Sequence, residues 1–233
     1  MINKDRPLRT IKSFVRRQGR FSDSQRQAVE RLWPLYGINV VERQTEQKLL
    51  NFSQLFARQA SVVLEIGFGN GHSLAQMALD APELNFLGIE VHHPGIAALL
   101  KQIENQQLTN LRIISDDAIK ILEALIPLQS LYRVQLYFPD PWPKTRHHKR
   151  RIVQTDFLSL LASRLIDGGV LHMATDWEHY AKHMVKTIQA HPAFQSVSNH
   201  SFSHKPDYRP LTKFEQRGIK LGHGIWDLVY RRV

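Results

Sequence analysis

Three glycines at alternate positions stand in the stretch Leu64-Glu65-Ile66-Gly67-Phe68-Gly69-Asn70-Gly71-His72. Glycine has no Cβ, so such a turn can bend tightly and bring its backbone against a ligand. A dinucleotide loop would instead need G-x-G-x-x-G with a pyrophosphate on the helix N-terminus. Here the third glycine comes one residue early, His72 follows it, and Glu65 would repel a pyrophosphate. A carboxylate at this place suits a cationic ligand that carries no phosphate. S-adenosylmethionine, with its ammonium and sulfonium, meets that requirement, which makes Glu65, Gly67, Gly69 and Gly71 candidate cofactor residues.

Further acids follow at strand ends. Glu90 closes the run NFLGIE, where an acid can accept both hydroxyls of a ribose. In Ser115-Asp116-Asp117-Ala118, Asp117 could accept from an adenine amino group while Ala118 packs against the ring. The same pair could equally cap the next helix. Asp140 lies in Tyr137-Phe138-Pro139-Asp140-Pro141-Trp142-Pro143-Lys144, where three prolines restrict φ and hold the acid and the Trp142 ring rigid. Enzymes that methylate nitrogen often place an acid, a proline and an aromatic ring at this point. The run that follows, Lys144 to Arg151, holds five Lys or Arg, two His and no acid. A charge run is commonly a solvated face, but directly after the turn it reads as a phosphate clamp.

These residues need elements to position them. From Ser61 onward, short β-branched runs alternate with amphipathic segments: SVVLEIG, HSLAQMALD, NFLGIEV, GIAALLKQIENQ, LRIIS, DAIKILEAL, VQLYF, DFLSLLASRLI, VLHMATD and HYAKHMVKTIQA. Such alternation predicts a largely parallel sheet with helices on both faces. FQSVSN and IWDLVYRR read as closing strands with an antiparallel edge. Gly168 and Gly169 are expected to stop the helix before VLHMATD. Ahead of this core, a helix capped by Ser22 or Asp23 is expected to end near Leu32, before Pro34 and Gly37. A second is expected over Glu46 to Arg58. Residues 1–20 are Arg-rich without an apolar period and read as a basic arm. The expected organisation is therefore the arm, then one domain over 21–233 with a helical lead-in at 21–60 and a catalytic core at 61–233.

The 233 residues carry 31 Lys and Arg against 21 Asp and Glu, a formal charge of +10 that implies a polyanionic partner. There is no cysteine, which excludes disulfides, thiolate metal sites and cysteine nucleophiles. No metal-ligand spacing is present, so no metal is expected. No apolar run is long enough to span a bilayer, and the expected location is the cytoplasm. A monomer is expected, with a homodimer as the alternative.

Taken together, LEIGFGNG, GIEV, DDA, FPDPWPKTRHHKRRI, ATDW and the stretch Arg209 to Gly218 (RPLTKFEQRG) resemble the bacterial tRNA (guanine-N7-)-methyltransferase family over about residues 30–233. One departure is Pro143, where His is common. The resemblance implies a Rossmann-like class I methyltransferase fold. It also implies S-adenosylmethionine as cofactor and methylation at N7 of guanine 46 in the tRNA variable loop. By the same resemblance, Glu65, Glu90, Asp117 and Asp140 line the cofactor site. Lys144, Asp176, Thr212, Lys213, Phe214 and Glu215 contact the substrate. Arg146, His147, His148, Lys149, Arg150 and Arg151 touch RNA. Guanine N7 has a free lone pair, so Asp140 is expected to act catalytically by orienting the base and stabilising its new positive charge. Asp176 could accept from the guanine N1–H and amine, or cap the next helix. The competing readings are a methyltransferase for another RNA or for a small molecule, a non-catalytic tRNA-binding protein on the same scaffold, and an NAD oxidoreductase. The basic segments argue against a small-molecule acceptor, the intact acids against a non-catalytic protein, and the glycine spacing against NAD.

Overall fold

The computed structural model describes residues 21–41, 48–211, 215 and 224–233. The basic arm at 1–20 and the substrate candidates Thr212, Lys213 and Phe214 lie outside the described residues. The alternating pattern becomes β1 (Val62–Ile66), α3 (His72–Asp80), β2 (Asn85–Ile89), α4 (His93–Asn105), β3 (Leu111–Ile114), α5 (Ala118–Ala124), β4 (Leu131–Tyr137), α6 (Thr155–Arg164), β5 (Leu165–Thr175) and α7 (Glu178–Gln189). Two strands complete the sheet, β6 (Phe194–Ser196) and β7 (Trp226–Arg232), and its order is β3-β2-β1-β4-β5-β7-β6. The first five strands run parallel, and β7 joins antiparallel to β5 and β6. Strands covered on both faces need apolar residues without a break, and β1 and β2 are buried at every position.

The described part of the lead-in includes α1 (Asp23–Tyr36) and α2 (Phe52–Phe56). Ser22 caps α1 through a reciprocal bond pair with Gln25. The helix continues past Pro34, four residues beyond its expected end. Pro34 sits in the last turn, and the Gly37 N–H closes that turn on the Trp33 carbonyl at 2.7 Å. The chain then bridges to Ile113 at the β3 edge. The expected helix over Glu46 to Arg58 is shorter: residues 42–47 are not described, and 48–50 are not helical. The Asn51 side chain accepts from the Gln54 N–H at 3.0 Å and sets the start at Phe52, leaving Leu49 exposed. The glycines at 168–169 do not separate α6 from its strand as expected. They lie inside β5, where the register against β4 shifts between Leu131 and Arg133.

The two faces of the sheet differ in kind. One carries Leu64, Val134, Leu136, Leu171, Met173 and Leu228, packed into an apolar core with α5, α6 and α7. The other packs Val63, Phe86, Leu111 and Ile113 against α1, α3 and α4 but also carries a polar rung, because Glu65 pairs in register with Gln135 and Gln135 with His172. His172 is fully buried; its Nε2 meets Asp227 Oδ1 at 2.8 Å and its Nδ1 lies 3.0 Å from the hydroxyls of both Tyr137 and Tyr208. With Nε2–H donating to the carboxylate, Nδ1 keeps a lone pair for the hydroxyls. Burial holds this imidazole below its ordinary pKa, against the pull of Asp227.

Asp227 also accepts from Arg209 Nε at 2.8 Å and Nη2 at 2.9 Å, and Arg209 Nη2 reaches Glu215 Oε1 at 2.7 Å. Burial would raise the Asp227 carboxyl, but the hydrogen bonds from His172 and Arg209 outweigh it and hold it below the usual range. Removing one member of such a set strands the others in a dry interior. Asp227→Ala should therefore lower the unfolding free energy by about 3–5 kcal/mol. Urea denaturation reads this directly, and an unchanged midpoint would show that the network adds nothing to the fold.

Candidate active site

The order of the parallel strands reverses between β1 and β4, and open α/β sheets bind ligands at the carboxyl ends beside such a point. A cavity of about 680 Å³ lies there, a size suited to a small-molecule site. Gly67, Gly69, Glu90, Asp116, Asp117 and the turn from Tyr137 to Pro143 line it. Four of the expected cofactor positions outside the turn thus converge. Asp140 joins them from β4, its side chain exposed at the cavity mouth.

The three glycines divide by role. All have positive φ, at +74°, +58° and +73° for Gly67, Gly69 and Gly71. A Cβ placed on Gly67 or Gly69 would meet nothing within 4 Å, so those two open towards a ligand. A Cβ on Gly71 would lie 2.7 Å from Leu99 Cβ on α4. Gly71 does not line the cavity. It starts α3 and lets the two helices close.

The acids are held differently. Glu90 already accepts from three backbone N–H groups, those of Gly69 at 2.8 Å, Val91 at 2.7 Å and His92 at 3.0 Å. It shapes the glycine loop and retains capacity to accept at the cavity. Asp117 is both cap and cavity wall, since its side chain accepts from Ile119 N–H at 3.0 Å. Asp116, which the sequence reading set aside, also lines the cavity and accepts from Asp117 N–H at 2.6 Å. Glu65 is not in the cavity wall but buried within β1, 3% exposed, with Oε2 lacking a hydrogen-bond partner among the described residues. Burial, reinforced by the Glu90 charge, pushes its carboxyl up to about 8 despite nearby Arg133.

The turn after β4 is strained at both ends, with Phe138 at φ +50° and Trp142 at φ +45°. Phe138 N–H is tied to the Ala174 carbonyl at 2.7 Å, and the Arg209 guanidinium lies 6.0 Å from its ring. The basic run forms a short 3-10 helix, Thr145–Arg150. Three residues per turn sort it into stripes. Arg146 and Lys149 are exposed. His147 and Arg150 face Trp142, with centroids 5.9 Å apart and the guanidinium 4.8 Å from the ring. His148 lies inward, 5.1 Å from the ring of His179.

Arg151, on the same stripe just past the helix, is only 2% exposed. The expectation that all of 146–151 face RNA is therefore corrected at Arg151. Its guanidinium is used within the protein, donating to Pro141 O and meeting His179 Nδ1. Glu215 is likewise buried on Arg209. Lys144 is exposed beside the turn. Asp176 is half-buried and does not cap α7: Trp177 holds the cap position, and its N–H bonds Thr175 Oγ1 at 3.2 Å. Among the described residues, no three His, Asp or Glu side chains group as metal ligands would, and no helix is long and apolar enough to cross a membrane.

A family model described as "Putative methyltransferase" matches residues 59–228. The tRNA (guanine-N(7)-)-methyltransferase of Psychromonas ingrahamii is 51% identical over all of this chain and 93% of the relative. That of Alcanivorax borkumensis is 53% identical over 97% of this chain and 92% of the relative. The chain belongs to the tRNA (guanine-N(7)-)-methyltransferase family. Among solved structures, the 16S rRNA methyltransferase KamB covers 78% of this methyltransferase and 92% of its own chain at TM-score 0.54 and 16% identity. An rRNA methylase from Streptococcus thermophilus covers 75% and 87% at TM-score 0.52 and 11% identity. These likenesses establish the Rossmann-like class I methyltransferase fold.

The sequence reading of this methyltransferase missed Arg133, His172, Arg209 and Asp227. One signal was present: Arg133, Gln135 and Tyr137 alternate through a strand otherwise read as apolar. The glycine assignment has a direct test. Gly71→Ala meets both a left-handed φ and the Leu99 side chain, and should destabilise the protein by about 2–4 kcal/mol. Thermal and denaturant unfolding without any ligand measures it, and wild-type stability would mean that α4 yields at Leu99.

Proposed function

We propose that this protein transfers a methyl group from S-adenosylmethionine to N7 of guanine 46 in the variable loop of tRNA. The observation that carries this reading is the acid-lined cavity at the β1–β4 reversal, with Asp140 presented at its mouth on a rigid turn. The curated relatives, alike over nearly the whole chain, are named for the same base and the same atom. The cavity's chemistry fits the cofactor. Two glycines leave space for it, Glu90 and Asp117 offer oxygens to hydroxyl and amino groups, and behind the wall Glu65 holds a buried oxygen without a hydrogen-bond partner among the described residues, a group a cation would complete.

When bound, S-adenosylmethionine supplies an electrophilic methyl group, which the guanine N7 lone pair takes as the carbon–sulfur bond breaks. No proton need leave the base first. Asp140 orients the guanine and stabilises the positive charge that the transfer leaves on its ring. Asp176, at the end of β5, accepts from the N1–H and amine edge. Lys144 and residues 212–215 hold the nucleotide, with Glu215 acting through Arg209 rather than from the surface. Arg146, Lys149 and Arg150 bind phosphate, and the arm at 1–20 adds affinity through counterion release.

The decisive experiment incubates the protein with labelled cofactor and unmodified tRNA and maps the product. N7-methylguanine at position 46 is expected, with no label in a tRNA carrying adenine there. Label at another base would overturn the assignment. Asp140→Ala should lower kcat on the order of a hundredfold or more while the exposed site leaves the melting curve unchanged.

Glu65 makes a pH-dependent prediction. Its carboxyl titrates near 8 in the folded protein, so it is largely protonated at pH 7. A cationic ligand favours the ionised form, so binding at pH 7 should expel up to about one proton from Glu65. The release should fade as pH rises above 8, where the carboxylate exists beforehand. Calorimetry in buffers of different ionisation enthalpy counts the protons, and Glu65→Gln corrects for the ligand's own amine. Identical counts for the two proteins would remove Glu65 from cofactor recognition.

A further inference from the structure

Arg151 is the anomaly of the basic run. Its Nε donates to the Pro141 carbonyl at 2.9 Å, in the peptide that joins the residue after Asp140 to Trp142. Its Nη2 lies 3.0 Å from His179 Nδ1, in the first turn of α7, where the ring nitrogen accepts. Its Cζ stands 4.8 Å from the Tyr180 ring centroid. One guanidinium thus links the turn that carries Asp140 to a helix that begins beyond β5. Burial raises the Tyr180 phenol's pKa, the Val153 backbone bond and the Arg151 charge oppose it, and Asp140 is close enough to add a smaller upward push. The link falls where the turn most needs support, between Asp140 and the left-handed Trp142.

We propose that Arg151 is a positioning residue for methyl transfer, fixing the Pro141–Trp142 peptide so that the Asp140 carboxylate stands at the cavity mouth. This rests on the reading of Asp140 given above. A guanidinium suits the task because its planar fork serves the carbonyl and the imidazole together. A lysine ammonium would keep the charge but lose that fork. The role also differs from phosphate binding in what it governs. Phosphate contacts set affinity and its salt dependence, whereas a misplaced catalytic group lowers the rate of the bound complex.

The test is a salt series of steady-state kinetics on one unmodified tRNA, with wild type, Arg151→Lys and Arg150→Ala. Arg151→Lys should lower kcat on the order of tenfold or more while KM for tRNA and its salt slope stay at wild-type values. Arg150→Ala should raise KM and flatten the slope. A wild-type kcat in Arg151→Lys, or a raised KM with a flattened slope in that variant, overturns the proposal. Should Arg151→Lys fail to fold, the exposed partner decides. His179→Ala should lower kcat severalfold with KM kept, and His179→Gln, which retains an acceptor, should recover it. Wild-type kcat in His179→Ala would then refute the link. Absence of tRNA methylation by the wild type itself would refute the functional reading instead, so the two failures are distinct.

Discussion

The pairing of β1 with β4 is the constraint on which the site depends. Val63 meets Arg133, Glu65 meets Gln135, and Ile66 meets Leu136. These registers place the glycine loop and the Asp140 turn at one edge of the sheet, where both border the same cavity. Side chains in a strand alternate between faces, so a slip of one residue would move Glu65 into the apolar core and Leu64 into the polar rung. The apolar face therefore fixes the register, and the polar face receives its geometry from it.

The polar rung on the other face is a poor way to gain stability. Buried ion pairs roughly offset their own desolvation, and well-packed apolar residues often do better. Its members are nevertheless closed into a network. His172, Asp227, Arg209 and Glu215 are linked by hydrogen bonds, and Arg133 lies 3.8 Å from the centroid of the Tyr208 ring. Arg133, Gln135 and Arg209 each keep one buried polar atom unpartnered among the described residues, as Glu65 does, but only the Glu65 carboxyl is raised to about 8. A buried group left incomplete in this way is costly for the fold alone, which is consistent with a ligand completing it.

Much of this architecture was legible in the sequence because its signals are local. Unbroken β-branched runs gave the parallel strands, and helix α3 starts and ends where its pattern does. The glycine loop and the acids at strand ends were legible for the same reason. Three things were not. Leu49, Leu50, Phe52, Leu55 and Phe56 carry a helical spacing, yet the Asn51 cap, a contact of one side chain, shortens the helix to five residues. Gly71 shares a spacing with Gly67 and Gly69, but only the approach of Leu99 from another helix shows its different role. The His172–Asp227–Arg209 set joins residues far apart in the chain, and no window of sequence contains it.

The turn that bears Asp140 shows why such distant partners are needed. Prolines restrict its middle, but its two ends hold aromatic residues in a conformation they seldom adopt alone, a strain of order 1–3 kcal/mol each. Cations stand at both ends. Arg209 lies against Phe138, Arg150 against Trp142, and Arg151 holds the Pro141 carbonyl. The isolated segment therefore has little reason to take this shape. It becomes rigid only once β7 has brought Asp227 to Arg209 and α7 has brought His179 to Arg151. Order at the site is thus a consequence of the completed sheet.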